Sequence, residues 1–180
     1  MKRFSQFLFY HIFGWRLANE LPYPDKCVIA VAPHTSNWDF VIAKTGYAAI
    51  GRTANFLMKS EWFVFPFNLI FKKMGGIPVK RGKSSSLTDI LAAEFDKRDR
   101  MQLAITPEGT RKPVKEWKKG FYFIACKALV PILLVGLDYG KKEVRFLGLF
   151  EPTGNYEKDI VTIKSYYKGI RAKKPENFLG

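Results

Sequence analysis

The sequence predicts an α/β fold, a single-domain sheet flanked by helices. Short apolar runs of β type alternate along the chain with segments whose apolar residues keep helical spacing. Proline and glycine interrupt the chain where one kind of segment gives way to the other. A chain of 180 residues has the length of one domain with a sizeable core. This alternation is typical of a sheet covered by helices on both faces.

Residues 1–20 are expected to form an aromatic amphipathic helix that precedes a domain formed by residues 21–180. The segment is basic and then strongly aromatic, and it lacks a small-residue cleavage site, so a signal peptide is not expected. Aromatic side chains beside Lys2, Arg3 and Arg16 suit an anchor at a membrane interface. The same side chains could instead pack on the core of the protein, and both alternatives stay open.

The first elements of the domain follow from local pattern. Residues 27–32 are an apolar run of β type that breaks at Pro33, which indicates a strand. Residues 38–51 keep helical spacing and stop at a glycine, as helices commonly do. Residues 55–59 form a short strand-like run. The domain is therefore expected to open with a strand, a helix and a second strand.

The middle of the chain is more aromatic. Residues 61–71 are apolar nearly all round, which predicts either a buried helix or one that dips into lipid headgroups. Residues 75–81 form another short strand, which ends in a basic pair. A helix begins at Ser84, since Ser86 and Asp89 have the spacing of a capping box. Its apolar stripe is formed by Leu87, Ile90, Leu91 and Phe95.

The last third of the chain repeats the alternation. A strand is expected at 102–106, a helix at 120–129 and a long apolar strand at 130–137. A further strand at 144–150 precedes a basic closing helix, 160–175. Chemistry in folds of this class gathers on loops beyond the carboxyl ends of the strands. These loops, at 33–38, 81–86 and 107–112, are expected to share one edge of the sheet.

The composition restricts the partners. The formal net charge is +14, from 30 Lys and Arg against 16 Asp and Glu, which favours nucleic acid, an anionic membrane surface or a phosphorylated substrate. Nucleic acid is disfavoured because the basic residues are scattered and no recognition motif is present. Two cysteines in apolar runs, Cys27 and Cys126, argue against disulfides or a metal site and favour a reducing compartment. No apolar run reaches the ~20 residues that span a bilayer.

His34 and Asp39 are the first candidates for catalysis. They lie five residues apart on the loop between a strand and a helix, and such a pair can form a general base with an orienting acid. There is also a structural interpretation, because the helix dipole alone favours Asp39 in a first turn and Asn37 could serve as the N-cap.

Four sequence blocks occur in one order, His34-Thr-Ser-Asn-Trp-Asp39, Gly76-Ile-Pro-Val-Lys-Arg81, Pro107-Glu-Gly-Thr-Arg111 and Val130-Pro-Ile132. Together they resemble the blocks of the glycerolipid acyltransferases, enzymes that acylate 1-acylglycerol-3-phosphate or related lyso acceptors. The resemblance covers residues 27–137 and implies a fold like that of glycerol-3-phosphate acyltransferase.

The resemblance implies that His34 is the general base and that Asp39 holds its tautomer and stabilises the imidazolium. It implies phosphate binding by Arg81 and Arg111, because guanidinium forks suit phosphate oxygens. Lys59 is a weaker phosphate candidate, and in so basic a chain a solvated surface lysine is the favoured interpretation for it. The acceptor pocket is expected to be shaped by three further residues, Glu108, Gly109 and Thr110.

The implied activity is transfer of a fatty acyl group from acyl-CoA or acyl carrier protein to the free hydroxyl of a lysophospholipid. The first expectation for the acceptor is 1-acylglycerol-3-phosphate, giving phosphatidic acid. No cofactor or metal is expected, and the enzyme would associate peripherally with an anionic membrane surface on the cytoplasmic side. Lys80 replaces an acid that is usual before the arginine, so an aminolipid or glycolipid acceptor stays open. A non-catalytic basic domain that binds membrane or nucleic acid is the alternative from another class.

Overall fold

The computed structural model describes residues 2–19, 23–79 and 84–179, without the side chains of residues 84–86. Seven strands are described within these ranges. They are β1 (Arg16–Ala18), β2 (Lys26–Ala32), β3 (Asn55–Lys59), β4 (Gly76–Val79), β5 (Met101–Ile105), β6 (Ile132–Asp138) and β7 (Glu143–Phe150).

The strands form one mixed sheet in the order β1–β7–β6–β2–β5–β3–β4. From β6 to β4 the strands are parallel to one another, whereas β7 is antiparallel to β6 and β1 is parallel to β7. The strand β2 lies between β5 and β6, with Val28 opposite both Leu103 and Ile132. The carboxyl ends of β2, β5 and β6 therefore lie side by side at one edge.

Helices cover both faces, which confirms the predicted fold class. They are α1 (Lys2–Gln6), which continues as a π-helix (Phe7–Ile12), α2 (Trp38–Ala49), a 3₁₀-helix (Ser60–Trp62), α3 (Phe67–Lys73), α4 (Ser84–Asp96), α5 (Gly120–Ala128), α6 (Tyr156–Ser165) and a second 3₁₀-helix (Pro175–Asn177). No helix in the described ranges combines the length and the apolar character needed to cross a membrane.

Alternation along β2 divides the core into two layers. Val28 and Ala30 pack in one cluster with residues of α4, α5 and α6. Ile29 and Val31 point to the opposite face and pack with the π-helix and α2. Successive side chains of a strand point to opposite faces, so a strand that is buried on both sides reads as a continuous apolar run.

The amino-terminal helix is shorter than expected. It ends at Ile12, and Arg16–Ala18 adds an edge strand where the sequence predicted helix to residue 20. Phe9 is fully buried, because Gly46 of α2 has no side chain and leaves room for its ring. Phe7 on the same helix is exposed, so the inner side of the segment packs on the core and the outer side does not.

The segment 61–71 is not buried, so the core alternative for it is wrong. Phe65 is 81% exposed, and α3 contains no buried residue. The segment is also not one helix, because a 3₁₀ turn and α3 are separated around Pro66, where proline cannot supply a backbone N–H donor. The membrane alternative stays a prediction.

Three smaller expectations differ from the structure. The closing helix α6 ends at Ser165 and is followed by a turn in which Gly169 has a φ of 80°, whereas helix was expected to 175. Ile90, expected in the buried stripe of α4, is 58% exposed, while Leu91 is buried. The predicted strand 75–81 is observed as β4, and its basic end lies outside the described residues.

Candidate active site

His34 and Asp39 are brought together by the loop that leaves the carboxyl end of β2. The Nδ1 atom of His34 is buried and lies 3.2 Å from Oδ2 of Asp39. The His34 side chain remains 20% exposed and lines a cleft. One side of the ring therefore faces a carboxylate and another part is accessible. This is the arrangement that a general base requires.

Asp39 is almost completely buried, and polar groups satisfy both of its oxygens. The backbone N–H groups of Thr35 and Ser36 each donate to Oδ2 at 2.7 Å, and the hydroxyl of Tyr139 donates to Oδ1 at 2.7 Å. Burial alone would raise the pKa of Asp39, but the bonds from His34, Tyr139 and the two backbone groups lower it below its ordinary value. The carboxylate is therefore held ionised beside the imidazole.

Asn37 occupies the N-cap position of α2, yet its side chain makes no capping hydrogen bond. Its Oδ1 instead accepts a hydrogen bond from the guanidinium of Arg111 on the loop after β5. The proposed cap is therefore not formed. The asparagine joins the two loops at this edge of the sheet and fixes the position of an exposed arginine.

Glu108 lies beneath the site and is 2% exposed. Its Oε1 accepts a hydrogen bond of 2.8 Å from the backbone N–H of His34, whereas its Oε2 has no partner among the described atoms. Burial is the largest influence on Glu108 and raises its pKa to about 7. The nearby charge of Asp39 adds to that rise, whereas the backbone bond from His34 and the charge of Lys164 oppose it. The side chain supports the loop of His34 from below.

The other residues of the Pro-Glu-Gly-Thr-Arg block divide between the cleft and its support. Gly109 and Arg111 line the cleft. A side chain at Gly109, where φ is 65°, would also lie within 2.9 Å of Lys118. Among the described residues, Glu108 and Thr110 are not part of the cleft lining, and Thr110 accepts a long bond from the backbone of Lys112.

The cleft has a volume of about 720 Å³ and extends from these loops along the sheet face that α2 covers. Its cationic lining comes from Lys59, Arg111, Lys118 and Lys44, and Arg81 lies outside the described residues. Its apolar wall includes Val31, Phe40, Ala43, Phe56, Val135 and Phe146. A largely apolar wall with few polar groups is typical of ligand pockets of this size.

Sequence reasoning missed Tyr139, Lys118 and Lys44. Tyr139 directly follows β6, and β6 lies beside β2 in the sheet. A tyrosine at the carboxyl end of a strand next to β2 was the one signal that could have identified this residue. Lys44 is half-buried and donates to the backbone oxygens of Ala54 and Met74, and burial lowers its pKa. No group of three or more His, Cys, Asp or Glu side chains within the described ranges is placed to hold a metal ion.

Two comparisons with known proteins give matches. A family model described as Acyltransferase matches residues 16–137, more than half of the chain. The fold is similar to the crystal structure of the 1-acyl-sn-glycerophosphate (LPA) acyltransferase PlsC from Thermotoga maritima, with a TM-score of 0.65 and 19% sequence identity. The similarity covers 93% of this chain and 75% of that one, and at this identity it shows the fold alone. No curated protein matches the chain in sequence.

The raised pKa of Glu108 predicts a pH dependence of stability. The folded chain binds this proton more tightly than the unfolded chain, whose carboxyl has the ordinary value of 4.5. The free energy of unfolding should therefore fall, by on the order of 1–3 kcal/mol, as the pH rises from about 4.5 to about 7. Glu108→Gln keeps an acceptor for the His34 N–H and removes the titration, so its stability relative to wild type should increase over this range.

Urea denaturation at a series of pH values from about 5 to about 8 measures this difference. Glu151→Gln, at an exposed carboxylate, is the control and should run parallel to wild type at every pH. Parallel curves for Glu108→Gln as well would contradict the prediction.

Proposed function

The chain belongs to the acyltransferase family, and on that premise we propose that it moves a fatty acyl group from an acyl thioester to the free hydroxyl of a lysophospholipid. The observation that supports this most directly is the His34–Asp39 pair at a cleft with an apolar wall and cationic side chains. An amphiphile with an anionic headgroup matches both kinds of lining. A non-catalytic binding domain gives no reason for a buried carboxylate behind an accessible imidazole.

His34 acts as the general base. Because Nδ1 faces Asp39, the neutral ring carries its proton on Nδ1 and presents an unprotonated Nε2. Nε2 takes the proton of the acceptor hydroxyl as that oxygen bonds to the acyl carbon. The carbon–sulfur bond then breaks, and the imidazolium returns the proton to the departing thiolate. Asp39 stabilises the imidazolium in between, and an activated thioester requires no covalent enzyme intermediate.

The cationic side chains of the cleft bind the acceptor. Arg111 on the loop after β5 is oriented by Asn37, which lies on the loop of His34. A phosphate bound by Arg111 would therefore fix the acceptor hydroxyl near the base. Lys59 and Lys118 add positive charge to the same lining, and Arg81 remains a proposed phosphate ligand. These charges favour 1-acylglycerol-3-phosphate over an aminolipid or a neutral glycolipid.

The acyl chain occupies the apolar wall between α2 and the sheet. Ala43 and Phe56 line this wall opposite strand residues such as Val135. The donor is a coenzyme A or an acyl carrier protein thioester, since both present the same reacting group to His34. The depth of this apolar region limits the length of the chain that it can hold.

The protein binds the membrane surface through exposed aromatic segments. Phe4 and Phe7 on the first helix, and Phe65, Leu69 and Ile70 near α3, are all more than half exposed. A net charge of +14 adds attraction to anionic lipid, about 1 kcal/mol for each Lys or Arg near the surface. Both substrates carry acyl chains, so this location gives the cleft direct access to them.

The general-base role predicts that His34→Ala abolishes transfer. Release of free thiol from an acyl thioester should depend on added 1-acylglycerol-3-phosphate and should fall by at least about a thousandfold in the variant, because no other group accepts the proton. His11 is the other histidine of the chain and is exposed on the π-helix, so His11→Ala is the matched control and should stay active. Full activity of a folded His34→Ala protein would exclude the mechanism.

The phosphate role of Arg111 predicts a selective change in KM. Arg111→Ala should raise the KM for phosphate-bearing acceptors roughly tenfold to a hundredfold, as expected for loss of a charged hydrogen bond. Neutral lyso acceptors should be almost unaffected. Lys112→Ala, at the neighbouring exposed cation, is the control. An equal loss for phosphate-bearing and neutral acceptors would favour a role in folding of the loop and would contradict phosphate binding.

The membrane role of the segment near α3 predicts a loss of vesicle binding. Replacing Phe65, Leu69 and Ile70 together by serine should reduce co-sedimentation with vesicles of anionic phospholipid at least about tenfold, because buried apolar area is lost at the interface. Val161→Ser removes an equally exposed apolar side chain from α6 and should leave binding unchanged. Undiminished binding of the triple variant would place the membrane contact elsewhere.

A further inference from the structure

Tyr139 contacts Asp39 from behind the proposed catalytic pair. Its hydroxyl donates to Oδ1 at 2.7 Å, while Oδ2 receives the two backbone N–H groups and faces Nδ1 of His34. Tyr139 lies two residues beyond the part of the chain that the family model matches, residues 16–137. It reaches Asp39 because β6 is the neighbour of β2 and ends at the same edge of the sheet.

Segments near both ends of the chain hold Tyr139 in place. Trp15 packs edge-to-face against its ring with 4.8 Å between the ring centroids. The backbone N–H of Tyr139 donates to the carbonyl of Arg171 at 2.8 Å, and the ammonium of Lys173 lies 5.9 Å from the centre of the Tyr139 ring. Lys174 of the same segment donates through its backbone to Oγ1 of Thr35, on the loop of His34. The hydroxyl is therefore carried by a side chain whose position is fixed on several sides.

The bond from Tyr139 restrains the orientation of the carboxylate. Rotation about the Cβ–Cγ bond of Asp39 moves both oxygens together, and the two backbone donors hold only Oδ2. The donor on Oδ1 holds the opposite side of the group, so it helps to keep Oδ2 directed at Nδ1 of His34. Burial raises the pKa of Tyr139, and its bond to Asp39 raises it further, so the hydroxyl stays protonated and remains a donor.

We propose that Tyr139 is a positioning residue of the acyl transfer, which orients the Asp39 carboxylate and through it the His34 ring toward the acceptor hydroxyl. This inference rests on the proposed function. It also implies that the carboxyl-terminal segment Arg171–Lys174, by holding Tyr139 in place, helps to orient the catalytic pair. Tyr139 itself does not line the described part of the cleft and does not bind substrate.

The chain contains a matched control for this bond. Tyr122 donates to Oδ2 of Asp159 at 2.7 Å, and both residues are buried in the layer on the opposite face of the sheet. Removing either hydroxyl deprives a buried aspartate of one donor, and at Tyr122 it also leaves the backbone N–H of Gly154 without its acceptor. Tyr122→Phe should therefore cost at least as much stability as Tyr139→Phe. Only the removal at Tyr139 acts on the catalytic pair.

The test compares Tyr139→Phe and Tyr122→Phe in the full chain, corrected for the folded fraction. Tyr139→Phe should lower kcat roughly tenfold and change KM for either substrate by less than about twofold, because orientation and not binding is lost. Tyr122→Phe should retain the wild-type kcat. Equal kcat values in the two variants, or a Tyr139→Phe effect confined to KM, would overturn the inference.

A second measurement does not require turnover. The readout is the proton NMR resonance of the His34 imidazole N–H that faces Asp39, to be assigned by its loss in His34→Ala. Tyr139→Phe should displace this resonance or broaden it, and Tyr122→Phe should leave it in place. A resonance that coincides in wild type and Tyr139→Phe would overturn the inference even if the wild type transfers acyl groups. Absence of thioester consumption in wild type would instead refute the proposed function and leave the NMR comparison valid.

Discussion

The buried charge of Asp39 is the constraint on which the rest of the site depends. An ionised carboxylate that is removed from water costs several kcal/mol unless donors surround it. Here the donors come from two places, the backbone N–H groups of Thr35 and Ser36 on the loop after β2 and the hydroxyl of Tyr139 after β6, and Nδ1 of His34 lies 3.2 Å from Oδ2. Displacing one of these elements would leave a buried oxygen without its donor, so the charge holds the carboxyl edge of the sheet in one arrangement.

Parallel strands make this arrangement possible. The strands β5, β2 and β6 are neighbours and run in the same direction, so the residues that follow each of them meet without any long connection. Glu108 arrives from β5, His34 from β2 and Tyr139 from β6. The backbone N–H of His34 thereby reaches Glu108 at 2.8 Å, and the hydroxyl of Tyr139 reaches Asp39 at 2.7 Å. The geometry of the candidate site is thus a consequence of strand pairing as much as of the side chains themselves.

The sequence predicted the alternation of strands and helices, and it identified the His34–Asp39 pair and the loop that ends at Arg111. These features have local signals, namely period, spacing and turn residues. It could not predict that the Glu108 side chain is buried, because the position of a residue next to Gly109 does not determine whether its side chain points into the protein or into the cleft. The edge strand Arg16–Ala18 is too short for a pattern, and the exposure of residues near Phe65 depends on what the rest of the fold leaves uncovered. Each of these misses concerns tertiary contacts that no local window contains.

The two faces of the sheet differ in how completely they are packed. The layer with α4, α5 and α6 contains the larger core and includes the buried hydrogen bond between Tyr122 and Asp159. The layer with α2 is interrupted by the cleft, and Lys44 there donates to backbone oxygens at its border. The proposed acyl group would fill the cleft in this layer. Its binding would complete the apolar packing that the polypeptide alone leaves open.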